Sequence, residues 1–398
     1  MNKQIELNRG AADGHVSDKS VTDKSAIDNS ATDKSVADKN ITDRSVVLLL
    51  QQLAELQGNC LLVADENWAQ AHWASIANSP DRQISVVSNR FDIASNANAA
   101  GIGCQFNDFD FAELAAHSFD YVLYRVSKER ASSHHIINQA AQLLKPAGKL
   151  LLSGEKNEGV KTYVKQACKL FSDHTNAEKH GTHYHAAVQL HQQSPTPLDD
   201  KSYPELRAIK TDTEFEFYSK PGIFGWDKID RGSAFLTEYL PQFIKSHSSQ
   251  PQSLLDMGCG YGYLSYEACR LGFTHITATD NNAAALAAAD KNLSQLSKSA
   301  SISSIDYSIV AADAGDRVGG QFDSLLCNPP FHQGFAVNGA LGDKFLKSAT
   351  RLLAPEGRAL FVVNTFIPLE HRAKQYFGRV EVVANNGSFK LVAMSYSR

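Results

Sequence analysis

The stretch SLLDMGCGYG (residues 253–262) runs a short apolar segment into three glycines at alternate positions, and LSYEACRLG (264–272) continues it with helical spacing. An apolar strand that turns through glycines into a helix is the opening of a parallel βαβ unit, not of a hairpin. Glycines in such a turn let backbone N–H groups and the helix N-terminus approach an anionic or polar ligand with no Cβ in the way. The next strand, HITATD (275–280), ends in Asp280, twenty residues past Gly260. A carboxylate there can accept both ribose hydroxyls of an adenosine-containing ligand. The G-x-G-x-G spacing departs from the G-x-G-x-x-G of dinucleotide binders without itself naming the ligand.

Further along, FDSLLCNPPF (322–331) places Asn328, Pro329, Pro330 and Phe331 at the carboxyl end of a strand, where open α/β sheets put their ligands. Paired prolines stiffen a turn and donate no backbone hydrogen bonds, which leaves carbonyls free to accept. An exocyclic amine has hydrogens to give. The Asn328 side-chain oxygen and the Pro329 carbonyl can hold it, and Phe331 offers a face for its ring. His332, next in sequence, is read equally as a contact to base or phosphate and as a structural polar residue. A helix to Leu353 and the strand RALFVVN (358–364) complete the half.

The first half follows the same plan. A helix, SVVLLLQQLAEL, leads into the strands CLLVAD (60–65), ISVVS (84–88) and FDYVLYRV (119–126), then a helix over 134–144 and the strand KLLLSG (149–154). Three blocks align in order: LLVADE on LLDMGC, FDYVLYRVSK on FDSLLCNPPF, LLKPAGKLLL on LLAPEGRALF, at offsets of 193, 203 and 209. This is a duplicated α/β domain. The second copy alone keeps the glycine loop, Asp280 and NPPF; the first has Val63-Ala64-Asp65-Glu66, Ser88 and Arg125-Val126-Ser127-Lys128 in their places. It has kept a scaffold and lost a site.

Before both lies VSDKS VTDKS AIDNS ATDKS VADKN ITDRS (16–45), a five-residue repeat with Asp at 18, 23, 28, 33, 38 and 43. It carries no bulky apolar residue for a solenoid core and reads as a low-complexity tail over 1–45. The domains follow as 46–195, a Pro-, Ser- and Asp-rich linker over 196–214, and 215–398, in which KPGIFGWDKID leads to a helix starting near Asp230. Of 398 residues, 39 are basic and 43 acidic, giving a net charge of −4. Residues 46–200 hold twelve basic and sixteen acidic side chains, and 201–398 twenty and nineteen. Contact with a nucleic acid then rests on local patches such as Lys156, Lys161, Lys165 and Lys169, which fit a basic stripe and a plain solvated helix face alike. The six cysteines form no CxxC pair and read as reduced thiols, and the histidines over 174–191 have no metal-ligand spacing. Residues 1–10 lack an apolar signal core and no run is long enough to span a membrane, which points to the cytoplasm.

From DMGCGYG and NPPF, the segment 215–398 resembles class I S-adenosylmethionine-dependent methyltransferases of the small-domain type. With KPGIFGWDKIDRGS, NPPFHQG and SGEKNEGVK (153–161), the chain from about 46 onward is similar to the ribosomal RNA small subunit methyltransferase C family of guanine-N2 methyltransferases. The resemblance implies two tandem Rossmann-like domains, the first degenerate. It implies that Asp256, Gly258 and Gly260 surround the methionine part of S-adenosylmethionine, that Asp280 binds ribose, and that Asp313 meets the adenine amine. Asn328, Pro329 and Phe331 would hold the target guanine of a ribosomal RNA, with no metal. Phe224, Lys228 and Asp230 would line a lid. The first copy would steady the second and help grip RNA, in a monomeric enzyme acting on a ribosomal subunit or its assembly intermediate. Methylation of 23S rRNA, methylation of a protein glutamine amide and non-catalytic RNA binding are the alternatives.

Overall fold

The computed structural model describes residues 42–211, 213–299, 304–330 and 339–396. The repeat units before residue 42, together with Phe331 and His332, lie outside the described residues.

The first sheet consists of β1 (Gly58–Ala64), β2 (Arg82–Ser88), β3 (Cys104–Phe106), β4 (Phe119–Arg125), β5 (Leu144–Glu155), β6 (Glu178–His180) and β7 (His183–Gln189), in the order β3-β2-β1-β4-β5-β7-β6. A hairpin of β8 (Arg207–Ile209) and β9 (Phe217–Ser219) follows. The second sheet, built from β10 (Ser253–Met257), β11 (His275–Asp280), β12 (Asp306–Ala311), β13 (Phe322–Cys327), β14 (Leu353–Asn364), β15 (Arg379–Asn385) and β16 (Phe389–Ser395), repeats that order strand for strand. In both, the first five strands pair in parallel and the penultimate one in the order runs antiparallel to its neighbours.

Each sheet is covered on both faces, which explains its continuous apolar strands. Leu254, Leu326 and Leu360 enter one core, while their neighbours Leu255, Leu325 and Phe361 enter the other. The duplication reaches irregular details. The pairing of β4 with β5 slips between Phe119 and Tyr121, and that of β13 with β14 between Phe322 and Ser324. At those slips a Cβ on Gly148 would stand 3.0 Å from the Lys145 carbonyl, and one on Gly357 3.0 Å from the Ala354 carbonyl and 2.7 Å from that of Phe322. The P-A-G and P-E-G triplets therefore mark a close backbone approach, tight for any Cβ at Gly148 and closed to one at Gly357. Asp120 accepts a hydrogen bond from Asn59 N (2.8 Å) and Asp323 one from Gln252 N (2.9 Å), again at matching positions.

Two boundaries differ from the sequence reading. The tail was expected to run to residue 45, but a helix spans Arg44–Glu55, capped by Asp43, whose carboxylate accepts from Ser45 N and Val46 N. Asp43 also pairs with buried Arg125 (2.9 Å), so residues 42–45, at the end of the repeat, belong to the fold. The 196–214 linker contributes β8 and is docked: Leu198 and Asn138 exchange two hydrogen bonds, and Tyr203 is buried in the first core. Its composition signals turns but hides these anchors.

The copies meet at equivalent turns. Phe91 N donates to the Asn281 carbonyl (2.9 Å) and Ala283 N to that of Asn89 (3.0 Å), a reciprocal pair about the Arg90–Asn282 bridge. This is an isologous contact within one chain. A second contact joins the buried Lys220 to Asp108, with Tyr203 donating to the same carboxylate (2.8 Å) and its ring 3.8 Å from the ammonium.

Arg125 stands where the second copy has Asn328. It is 3% exposed and pairs with Glu158 (2.7 Å) as well as Asp43, so an internal ion cluster fills the first copy's strand end. Replacing it strands the buried Glu158 carboxylate and leaves Asp43 without its cation. Arg125→Ala should lower the unfolding free energy by about 3–5 kcal/mol, and Asp43→Ala, which loses a cap and a partly exposed partner, by about 1 kcal/mol; urea denaturation of the two variants measures the difference.

Candidate active site

Four adjacent strands, in the order β12-β11-β10-β13, carry the predicted residues at or just past their carboxyl ends: Asp313, Asp280, Asp256 and Asn328. Strand register sets their spacing, with Met257 paired to both Thr279 and Cys327 and Asp280 paired to Ala311.

Asp256 is wholly buried on β10. Its Oδ2 accepts from Ser265 N (3.0 Å) and Ser265 Oγ (2.7 Å), and Oδ1 finds no partner among the described residues. An orphaned buried acceptor is uncommon and consistent with a group that a ligand would supply. Gly258 and Gly260 have φ of +80° and +55°, conformations that suit glycine, and a Cβ built on either meets nothing within 4 Å. The loop thus bounds open space. Asp280 accepts from Gly260 N (3.0 Å) through Oδ2 and from Asn282 N (2.9 Å) through Oδ1, tying the glycine loop to the end of β11. Ala312 N donates to the Asp280 carbonyl (3.1 Å), which brings Asp313 alongside. The Asp313 carboxylate pairs with Lys344 of the helix Gly339–Leu352.

Asn328 is held from the lead-in. Its Nδ2 donates to Asp230 Oδ1 (2.7 Å) and to Ser233 Oγ (2.9 Å). A carboxylate only accepts, so the amide nitrogen must face it, and the amide's carbonyl oxygen is turned the other way as an acceptor. Asp230 is itself fixed as N-cap of the helix Arg231–Lys245, accepting from Gly232 N (2.9 Å) and Ser233 N (3.0 Å). The lead-in is fastened to the glycine loop by Tyr261 Oη, which donates to the Lys228 carbonyl (3.2 Å), and to the β11 turn by Asn282 Nδ2, which donates to Gly222 O (2.9 Å). Asp230 is thus joined to Asn328, the Lys228 carbonyl to the glycine loop, and Phe224 on the same lead-in is 59% exposed. Pro329 is buried. Among the described residues no cluster of histidine, cysteine or carboxylates could hold a metal, and no helix is long and apolar enough to cross a membrane.

Sequence reasoning missed Ser233, Ser265 and Lys344. D-R-G-S at 230–233 carries a cap signature that could have drawn Ser233 in, whereas Ser265 and Lys344 meet their partners through tertiary packing alone. Of the basic stripe, Lys161, Lys165 and Lys169 are exposed on the helix Val160–Phe171 of the first copy, opposite its buried Val160, Val164 and Phe171.

Paired seven-stranded sheets in this order, with a glycine loop after β10 and an acid closing the neighbouring β11, define a duplicated Rossmann-like methyltransferase scaffold. The chain belongs to the methyltransferase small domain family: residues 214–393 match the methyltransferase small domain and 46–200 the corresponding N-terminal domain. Among curated proteins it is similar to ribosomal RNA small subunit methyltransferase C of Hahella chejuensis, 28% identical across 86% of this chain and 95% of that protein. The protein of the same name from Pseudomonas paraeruginosa is 29% identical across 70% of this chain and 80% of its own length. Among solved structures, a T. thermophilus 16S rRNA N2 methyltransferase in complex with AdoMet and guanosine has the same fold, with a TM-score of 0.75, 20% identity, and coverage of 90% of this chain and 93% of that one.

Burial, reinforced by the nearby Asp280 charge, pushes the Asp256 carboxyl up to about 7 from its ordinary 3.8, against the two Ser265 hydrogen bonds that lower it. Between pH about 4 and about 7 the folded chain keeps a proton that the unfolded chain has released. Stability contributed by this group is present at low pH and lost as pH rises through that window. Asp256→Asn should show a shallower fall in unfolding free energy than the wild type between pH 5 and pH 8; equal slopes in urea titrations would refute the assignment.

Proposed function

We propose that this chain transfers a methyl group from S-adenosylmethionine to the exocyclic N2 amine of a guanine in 16S ribosomal RNA, acting as a monomer in the cytoplasm. The observation that carries the reading is the pinned amide of Asn328. With both amide hydrogens directed to Asp230 and Ser233, its oxygen is committed to accepting from an amine at the carboxyl end of β13. The Hahella and Pseudomonas relatives bear the name of a small-subunit rRNA methyltransferase, and the T. thermophilus protein was solved with AdoMet and guanosine.

The cofactor site fits that donor. Asp256 Oδ1 and the open glycine loop suit the methionine part, Asp280 the ribose and Asp313 the adenine amine. When bound, S-adenosylmethionine supplies an electrophilic sulfonium methyl. The guanine N2 lone pair is delocalised into the ring and is a poor nucleophile. Asn328 Oδ1 and the Pro329 carbonyl accept its two hydrogens, pyramidalise the nitrogen and aim it at the methyl, and Phe331 stacks on the base. Positioning and preorganised polar groups supply the rate. The N2 proton leaves to water once the nitrogen has gained the methyl.

RNA as substrate draws further support from the surface. Exposed large hydrophobic side chains among the described residues are Phe224, Phe366 (74% exposed) and Val382, and both aromatics are on segments that adjoin the strand-end residues. Phe224 is on the lead-in, and Phe366 lies two residues past the carboxyl end of β14, the strand beside β13. A base lifted from its stack leaves neighbours in need of a platform.

Labelled methyl transfer to small subunits, large subunits and a release factor tests the substrate directly, with N2-methylguanine in the small-subunit RNA as the expected product. Label on the large subunit or on protein would overturn the proposal. Asn328→Ala should retain S-adenosylmethionine binding and slow transfer at least ~100-fold. Phe366→Ala should raise KM for the RNA about tenfold and leave cofactor affinity unchanged, with partial recovery in Phe366→Trp.

A further inference from the structure

We infer that the inactive first copy sets the cofactor affinity of the second through Asp92, a positioning residue for the turn that carries Asp280. The inference rests on the reading of Asp280 as the ribose ligand. Asp280, Asn281 and Asn282 each hold a different partner. Asp280 holds the glycine loop, Asn282 caps the helix Ala283–Ser297 and holds the lead-in, and Asn281 is given over to the first copy. Both polar ends of the Asn281 side chain are used by one residue: Nδ2 donates to Asp92 Oδ1 (3.0 Å) and Oδ1 accepts from Asp92 N (3.0 Å).

The direction of this grip is written in the broken symmetry of the contact. The backbone exchange is reciprocal, Phe91 with Asn281 and Ala283 with Asn89. The side chains are not. The position equivalent to Asp92 in the second copy is Ala284, whose N–H donates to Asn282 instead. Asn89, the counterpart of Asn281, is left with a buried Oδ1 that has no partner among the described residues. The first copy therefore clamps the ribose turn of the second, and among the described residues no side chain of the second copy clamps the turn after Ser88, which has no carboxylate to aim. Asp92 touches no reacting group; it acts by fixing the peptide between Asp280 and Asn282, and Asn282 N is one of the two donors that orient the Asp280 carboxylate. Because Lys220 and Asp108 join the copies elsewhere, loss of the Asp92 carboxylate loosens this turn without parting them.

The test uses the full chain, with S-adenosylmethionine as titrant in calorimetry. Asp92→Ala should weaken cofactor binding about 5- to 10-fold, the effect of one hydrogen bond of ordinary strength. Its kcat at saturating cofactor should stay within about twofold of the wild type. Asp92→Asn keeps an oxygen that can accept from Asn281 and should restore wild-type affinity. Wild-type affinity in Asp92→Ala would overturn the inference, as would equal loss in both variants or a lowered melting temperature with affinity intact. Failure of the wild-type chain itself to bind S-adenosylmethionine would overturn the cofactor reading, and this inference with it.

Discussion

The carboxylate of Asp230 is the point on which the candidate site turns. One oxygen accepts from two backbone N–H groups at a helix start and from the Asn328 amide, so the helix, the lead-in loop and the strand-end motif share one acceptor. A charged acceptor at a helix N-terminus is favoured by the unpaired N–H groups and the dipole there. That gain is local and independent of substrate. It lets an asparagine side chain, which could otherwise flip to present either end, arrive with one face fixed. Gly232 belongs to the same device: a Cβ there would lie 3.0 Å from the Asp230 oxygen and 3.3 Å from the Phe389 ring.

The parts of the molecule legible in the sequence are those whose physics is local. SLLDMGCGYG announces strand, turn and helix because alternate glycines after an apolar run suit little else, and HITATD is observed as a strand over the very residues read. The duplication was legible because its blocks preserve the P-x-G triplets, whose glycines the packing requires. Contacts that join distant segments were illegible. Ser265 sits on the helix after the glycine loop with no composition signal, and Lys344 meets Asp313 across 31 residues. Tyr203 looked like part of a linker because prolines and acids surround it, yet its ring is buried and its hydroxyl reaches Asp108 in the first copy.

Loss of the site in the first copy is itself a physical event. A strand end that once faced a ligand cannot simply be left, because buried polar groups there need partners. Arg125 answers this with a guanidinium that serves Glu158, the Val126 carbonyl and Asp43 together. The Asp43 contact draws the end of the repeat tail into the fold and converts the last of six similar units into a helix cap.

The same asymmetry gives a reason for one chain to hold both copies. Two identical domains meeting about a two-fold axis would each hold the other's β11-type turn equally, and each would need a competent site to profit from it. Fusion frees the two turns to diverge. One can keep its carboxylate and glycine loop, while the other exchanges them for Ser88 and an aspartate placed to hold its neighbour. Stability and cofactor geometry are then divided between copies, so that polar groups oriented for catalysis need not be compatible with a rigid interface on their own side. The Asn89 Oδ1, without a partner among the described residues, marks the turn that receives no answering side chain from the second copy.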